Sequence, residues 1–347
     1  MRQPEHDGTA PLLHALTRLA DGHDLSEAEA HAAVGTIMAG EATDAVLAAF
    51  LTALRLKGET PDELAGAVRA VRERMSPWDN PIPGVAVLDT CGTGGDGANT
   101  VNISTATAIV VAATGVAVAK HGNRSASGNS GSAEVLTELG INIEADPARL
   151  SVCLAELGLT FLFAPKFHPA LRHAAGVRKQ LPFRTLFNLV GPLANPAWPA
   201  YQIVGVSGER QGLLIAEALV RLGTERAAVV RGSDGLDEVT LGGPTHVLWI
   251  EAGTITLKTW IPNDFGLPAV SAGDLRVSGP TESASRLRSL LAGDPGPVRS
   301  SVLANAAAAL LVAGRVGSLA EGVQLAADSV DSGRAAGLLD RWRERSR

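Results

Sequence analysis

Up to about Met75 the apolar residues recur only at helical spacing. Ser26-Glu27-Ala28-Glu29 forms a capping box ahead of an Ala/Ile/Met run that stops at Gly40. Val46, Leu47, Phe50, Leu51 and Leu54 follow at the same period, with Gly58 after Lys57 as a stop. Thr60-Pro61-Asp62-Glu63 opens a further helix with a cap, a first-turn proline and a third-position acid. The segment Ser76-Pro77-Trp78-Asp79-Asn80-Pro81-Ile82-Pro83-Gly84 then breaks the pattern and reads as a linker.

From Val85 onward short apolar runs alternate with helical stretches. The runs predict strands at Val85–Leu88, Val116–Ala119, Ile141–Ile143, Thr160–Phe163, Gln202–Val206, Ala227–Val230, His246–Ile250 and Thr254–Lys258. Between them, helices are predicted at Ser104–Ala113, Ser132–Leu139, Pro147–Leu157 and Arg210–Leu222, and the chain is helical and Ala-rich again from about Glu282. Alternation of this kind implies crossover units around a parallel sheet. The predicted fold class is therefore α/β: a small all-helical domain plus a larger α/β domain with a mostly parallel central sheet. The expected division is residues 1–80 and 81–347, with helices around 168–190 packing on the helical domain.

Composition narrows the class. The 347 residues are 46% hydrophobic, enough for full cores and too much for disorder. Two cysteines, Cys91 and Cys153, argue for a reducing, cytoplasmic setting. No signal peptide is visible at the start. The longest charge-free apolar tract, Ala106 to Ala119, is too short and too polar at its edge to span a membrane. The net charge of −6 is unevenly spread. Between Asp96 and Glu134 there are no acids and two bases, Lys120 and Arg124; between Glu156 and Glu209 there are no acids and five bases, Lys166, Arg172, Arg178, Lys179 and Arg184. An acidic body with two acid-free basic stretches is arranged to hold a local anion.

Two loops fit that anion. In Asp89–Thr105, DTCGTGGDGANTVNIST, eleven of 17 residues are Gly, Ser, Thr or Asn, and the run leads from a predicted strand into a helix. Backbone amides and a helix N-terminus there favour phosphate. Gly92, Gly94 and Gly97 also satisfy a dinucleotide pattern, but no acid follows at the distance needed to hold a ribose, and no Gly-Lys-Ser/Thr follows for a P-loop. The second loop, Lys120–Ser132, KHGNRSASGNSGS, brings two cations, a histidine and four hydroxyls to another strand end.

Two further features accompany them. The window FLFAPKFHPALRHAAGVRK, Phe161–Lys179, places His168 and Arg172 four apart, on one face of a predicted helix, with Gly176 weakening any continuation. Seven of the chain's 13 aromatics lie between Phe161 and Tyr201, which suits either a core, stacked bases of a single strand, or a small aromatic acid beside an arginine. Asp237-Glu238 follows a predicted strand; an exposed acidic turn is the commoner use of such a pair. Beside two phosphate loops, Mg²⁺ bridging carboxylates and substrate phosphates is the better account. No zinc spacing and no nucleophile–base motif exist.

Taken together, GTGGD at Gly92–Asp96, NIST at Asn102–Thr105, KHGNRSAS at Lys120–Ser127, FAPKFHPALRHAAGVRKQL at Phe163–Leu181, RTLFNLVGPLANP at Arg184–Pro196, the Asp237–Glu238 pair and NDFGL at Asn263–Leu267 closely resemble the anthranilate phosphoribosyltransferases. The resemblance covers nearly the whole chain. It implies a cytoplasmic enzyme of tryptophan biosynthesis, a homodimer joined through its helical domains, with the active site between the two domains. It implies transfer of the phosphoribosyl group of 5-phosphoribosyl 1-pyrophosphate to the amine of anthranilate, with two Mg²⁺ ions. By the same resemblance Gly92, Gly95, Asp96, Thr100, Asn102, Ile103, Ser104 and Thr105 line the phosphoribosyl pyrophosphate site. Lys120, His121, Gly122, Asn123, Arg124, Ser125, Ala126, Ser127, Gly128 and Ser132 form its second wall. Ser104 and Glu238 are implied as ligands of one metal ion, Asp237 and Glu238 of the other, and Gly92, Asn123 and Arg178 contact anthranilate.

The residues agree with that chemistry. A strongly anionic, Mg²⁺-bound sugar accounts for hydroxyl-rich loops, cations and a carboxylate pair in one place. An oxocarbenium-like transition state needs its leaving group stabilised more than it needs a strong base. No general base is assigned; His121 is no more than a candidate. The chain departs from the family at Gly128, where serine is usual, and at Pro182, where glycine is usual. Neither change removes a charge or a metal ligand. A related pyrimidine-nucleoside phosphorylase and a silent, nucleic-acid-binding homologue are the alternatives, though no nucleic acid is expected as a partner.

Overall fold

The computed structural model describes residues 8–125 and 130–347, and opens with four helices, three of which are started by a side-chain cap. These are α1 (Ala10–Ala20), α2 (Glu27–Ala39), α3 (Asp44–Lys57) and α4 (Pro61–Glu73). Capping boxes start α2 at Ser26/Glu29 and α4 at Thr60/Glu63, and Gly40 ends α2 in the left-handed region at φ +79°. Glu63 does more than cap. Its fully buried carboxylate also accepts from the Leu25 amide at 2.9 Å and pairs with Lys57 at 3.0 Å, pinning three segments together.

The remainder alternates strands and helices. In chain order these are β1 (Leu88–Gly92), α5 (Ile103–Ala112), β2 (Val118–Gly122), α6 (Ser132–Glu138), α7 (Pro147–Leu157), β3 (Leu159–Phe163), α8 (Ala164–Phe167), α9 (Arg172–Gln180), α10 (Leu186–Leu193), β4 (Tyr201–Gly205) and α11 (Glu209–Arg221). Then come β5 (Arg226–Gly232), β6 (Thr245–Glu251), β7 (Thr254–Trp260), α12 (Pro262–Phe265), α13 (Pro280–Leu291), α14 (Pro297–Val312), α15 (Leu319–Asp331) and α16 (Arg334–Arg345). One seven-stranded sheet runs in the order β3-β2-β1-β4-β5-β6-β7. Its first five strands are parallel, and the β6–β7 hairpin adds antiparallel at one edge. The strand order reverses on either side of β1, so the crevice beyond the C-terminal ends of β1, β2 and β4 is where such a sheet holds ligands.

Packing explains the layers. Helix α5 is buried on all sides, lying between the sheet and α14. A second apolar core joins residues of α1–α4 to Ala174 and Val177 of α9, to Leu186, Phe187 and Val190 of α10, and to Val204 and Ile215 of β4 and α11. The three carbonyls at the end of α10 are each taken by a different element. Gly191 meets His121 Nδ1 at 3.2 Å, Pro192 accepts from Gln202 Nε2 at 3.1 Å, and Leu193 accepts from Arg72 Nη2 at 2.6 Å. Trp78, in the linker, is buried against Phe167 and Val87, and Ser76 donates its amide to the Phe167 carbonyl.

Two expectations fail. Ile141 and Ile143 are buried, but the segment is not a strand. The Ile141 amide closes the end of α6 on the Leu136 carbonyl, and the Asn142 side chain folds back onto the Glu144 amide, leaving no ladder to join. His168 and Arg172 do not share a helix. His168 (φ −121°, ψ 59°) breaks the chain between α8 and a 3₁₀ turn at Pro169–Leu171, as proline after it requires, and Arg172 starts α9. Gly176 does not stop α9, which runs on to Gln180 with Arg178 in its last turn.

Candidate active site

Four of the five parallel strands end in glycine: Gly92, Gly122, Gly205 and Gly232. A missing Cβ lets other backbone close in. Any side chain at Gly92 would meet the Asp237 carboxylate at 2.7 Å. The sequence loops emerge at these ends. After β1, the chain passes Gly94, Gly95 and Gly97 at positive φ, then caps α5 with the Asn102 side chain, which accepts from the Thr105 amide at 3.1 Å. Asn102 is itself held by Ser283, whose buried hydroxyl accepts the Asn102 amide at 3.0 Å. The Ile103 side chain belongs to the core.

Beneath the loops lies a buried polar layer. Asp89 is inaccessible and accepts from the His121 amide at 3.1 Å and from Asn195 Nδ2 at 2.8 Å. Burial pushes its carboxyl up to about 6 against the pull of Lys120. Lys120 is equally buried, and donates to the Thr90 carbonyl and, at 3.2 Å, to Ser104 Oγ. It therefore orients Ser104 from below. The Thr93 and Thr105 hydroxyls and His121 Nε2 are buried and meet no hydrogen-bond partner within the protein. Native structures seldom leave such atoms orphaned, and the Thr93 and Thr105 hydroxyls beside the loop after β1 suit a ligand rich in hydrogen-bonding oxygens.

Asn123 is exposed, and its carbonyl holds the Ser132 hydroxyl at 3.2 Å, tying the second loop's end to α6. Arg124 lies over the Phe163 ring at 5.5 Å and pairs with Glu144 at 3.8 Å, and the Ser125 amide donates to Glu134 at 3.2 Å. Ala126, Ser127 and Gly128 lie outside the described residues.

Asp237 and Glu238 follow β5 and reach the same crevice. Asp237 accepts from the Gly94 amide at 2.9 Å. Burial and the nearby Asp96 raise its carboxyl; burial and Asp237 raise Glu238, with Lys120 and the Ser104 amide opposing. Asp237 and Glu238, both with raised affinities for protons and with Asp96 beside Asp237, are arranged for a cation. Among the described residues no three His, Cys, Asp or Glu side chains form a complete cage. That suits Mg²⁺, which binds one or two carboxylates and takes the rest of its shell from water and phosphate. Arg178 lies over the Phe187 ring at 5.6 Å. Arg184 donates to the Thr93 and Gly94 carbonyls. Asn195 and Ser283 carry no role in the sequence reading, Asp89 enters it only as the start of the first loop, and Arg184 only as one base of an acid-free stretch and of the RTLFNLVGPLANP run.

His121 and His168 meet edge to face, ring centroids 5.2 Å apart. Burial lowers both, His121 to about 3 with His168 adding to the effect, and His168 to about 4. An unfolded histidine titrates near 6.5, so the unfolded chain takes up protons that the native one refuses as the pH falls from about 6.5 to about 4. Stability is lost across that window, by on the order of 3 kcal/mol for each histidine. His168→Gln should flatten the fall; urea unfolding at pH 7 and pH 5 measures it, and equal slopes in both proteins would refute the assignment.

The chain matches the model of a glycosyl transferase family helical bundle domain over residues 13–75, and that of the family's a/b domain over residues 84–336. It is 50% identical over 324 residues to an anthranilate phosphoribosyltransferase of Moorella thermoacetica, covering 93% of this chain and 95% of that one. The crystal structure of an anthranilate phosphoribosyltransferase from Thermus thermophilus superposes with a TM-score of 0.90 at 43% identity, covering 96% of this chain and 99% of the other. The Saccharomyces cerevisiae anthranilate phosphoribosyltransferase in complex with PRPP and Mg superposes with a TM-score of 0.90 at 29% identity, with 99% of both chains covered.

Proposed function

Since the chain belongs to the anthranilate phosphoribosyltransferase family, we propose an assignment of its crevice to that reaction. The enzyme transfers the phosphoribosyl group of 5-phosphoribosyl 1-pyrophosphate to the amine of anthranilate, releasing pyrophosphate and N-(5-phosphoribosyl)anthranilate. One observation carries the assignment of the crevice. Orphaned buried hydroxyls at Thr93, just past β1, and at Thr105, in the first turn of α5, flank the loop whose Gly94 amide is held by Asp237.

In this reading Gly92, Gly95, Asp96, Thr100, Asn102, Ile103, Ser104 and Thr105 surround the sugar and its phosphates. Lys120 through Gly128, together with Ser132, form the second wall of that site. Ser104 and Glu238 would hold one Mg²⁺ ion and Asp237 and Glu238 a second, which would supply countercharge to the pyrophosphate leaving group. Arg178 pairs with the anthranilate carboxylate, with Gly92 and Asn123 completing that subsite. His121 is a poor general base here: burial keeps it neutral, but its Nδ1 faces the Gly191 carbonyl and its ring lies beneath the loops. Positioning and electrostatics carry the chemistry instead.

Residues 1–80 form the helical domain and 81–347 the α/β domain, and two copies pair through the former in the cytoplasm. No helix of the described residues is long and apolar enough to cross a membrane. The test is anthranilate fluorescence in the presence of 5-phosphoribosyl 1-pyrophosphate and Mg²⁺. The signal should fall with enzyme and stay constant when the metal is chelated; no fall with ample enzyme would sink the reading.

A further inference from the structure

Arg184 lies on the short connection between α9 and α10, six residues beyond Arg178. Its guanidinium reaches across to the loop after β1, one amine donating to the Gly94 carbonyl and the other to that of Thr93. The opposite side of the same loop is held by Asp237, which accepts the Gly94 amide. One turn of backbone is therefore gripped by a cation from one segment and an anion from another. The space is committed to this contact. A Cβ on Gly95 would lie 1.7 Å from an Arg184 nitrogen, and the φ of +83° there already favours glycine. Burial works against the guanidinium's charge while Asp237 and Asp96 support it, so Arg184 shares with Lys120 the balancing of the acidic cluster.

We infer that Arg184 is a positioning residue that couples the two substrate subsites: it fixes the arm carrying Arg178 against the phosphate-binding loop, so that the aromatic acid is aligned only when that loop is in place. The fork geometry matters, because a planar donor pair can hold two successive carbonyls, while a lysine ammonium supplies charge without that constraint. The inference rests on the reading of Arg178 as the anthranilate-carboxylate contact.

Full-length Arg184→Ala, Arg184→Lys, Arg178→Ala and the Arg178/Arg184 double alanine variant are compared with the wild type. Arg184→Ala should raise KM for anthranilate ~10-fold or more while lowering kcat far less, and Arg184→Lys should raise it without changing the melting temperature. The double variant should lose much less than the product of the single losses, since aligning an absent Arg178 is without value. An anthranilate KM within about twofold of wild type in both Arg184 variants, or losses that multiply, would overturn the inference. Should the alanine variant fold poorly, the lysine variant decides. Wild-type turnover is the control for the reaction itself. Mg²⁺ with inorganic pyrophosphate, titrated by calorimetry, reads the loop independently of turnover; unchanged affinity in Arg184→Ala would count against the clamp even if the reaction assignment failed.

Discussion

Asp237→Asn combined with Glu238→Gln is expected to abolish turnover while leaving the protein folded, and as stable as before or more so. The expectation has two halves with one cause. At pH 7 both carboxylates are held in surroundings that favour their protonated forms, through burial, through each other and through Asp96. An acid whose folded-state affinity for protons is raised destabilises the native state wherever it is forced to ionise. The neutral amides remove that repulsion at unchanged shape, and the side-chain oxygen at position 237 would still accept the Gly94 amide. A gain on the order of 1–2 kcal/mol is expected, reduced by the loss of countercharge for Lys120. Mg²⁺, however, is bound through charge and hard oxygen donors. Loss of both should lower kcat/KM by at least ~1,000-fold, about 4 kcal/mol of transition-state stabilisation. Steady-state kinetics with a thermal melt checks both halves; retained turnover, or a melt well below wild type, would reject this account of the acidic pair.

Gly205→Ala should be nearly as damaging to activity for a steric reason. Gly205 ends β4 directly beside Gly92 of β1 in the ladder, and its backbone is compatible with alanine. A Cβ there would lie 1.6 Å from the Asp237 carbonyl oxygen and 2.6 Å from its carbon. Those are backbone atoms, so no rotamer change relieves the overlap; the chain bearing Asp237 and Glu238 must move. Overpacking of this kind costs typically ~1–3 kcal/mol of stability. An ångström of displacement at the carboxylates should cost about 100-fold in kcat/KM. If Gly205→Ala kept both its melting temperature and its kcat/KM, the tight approach of β4 to the acidic turn would be wrong.

How much was legible in the sequence depended on whether apolar pattern or polar network set a boundary. The starts of helices with explicit caps, such as α2 and α4, were readable to the residue because the cap is local chemistry. Strands β1 and β2 were placed about three and two residues early. Val85–Leu88 and Val116–Ala119 are the apolar runs, but the ladders continue through Asp89, Thr90, Lys120 and His121. Those polar residues are buried because they satisfy one another and Asn195, a tertiary condition that no period reveals. The strands thus extend into the site where hydrophobicity stops reporting them. The glycine-rich loops and the acidic pair were visible as composition. The supports behind them, Ser283 holding Asn102 and Asn195 holding Asp89, lie 181 and 106 residues away and have no local signature.

The shared apolar core described above also bears on how the chain folds. The inward faces of α1–α4 are completed by α9 and α10, which enter the sequence about a hundred residues later, and by α11 from the sheet side. Arg72 adds a polar link at the same joint through the Leu193 carbonyl. An N-terminal segment emerging alone would present that face to water, and the area left uncovered is what would otherwise drive its collapse. The first helices therefore wait for the middle of the chain, and cooperative units in this molecule cross the line between its two sequence modules.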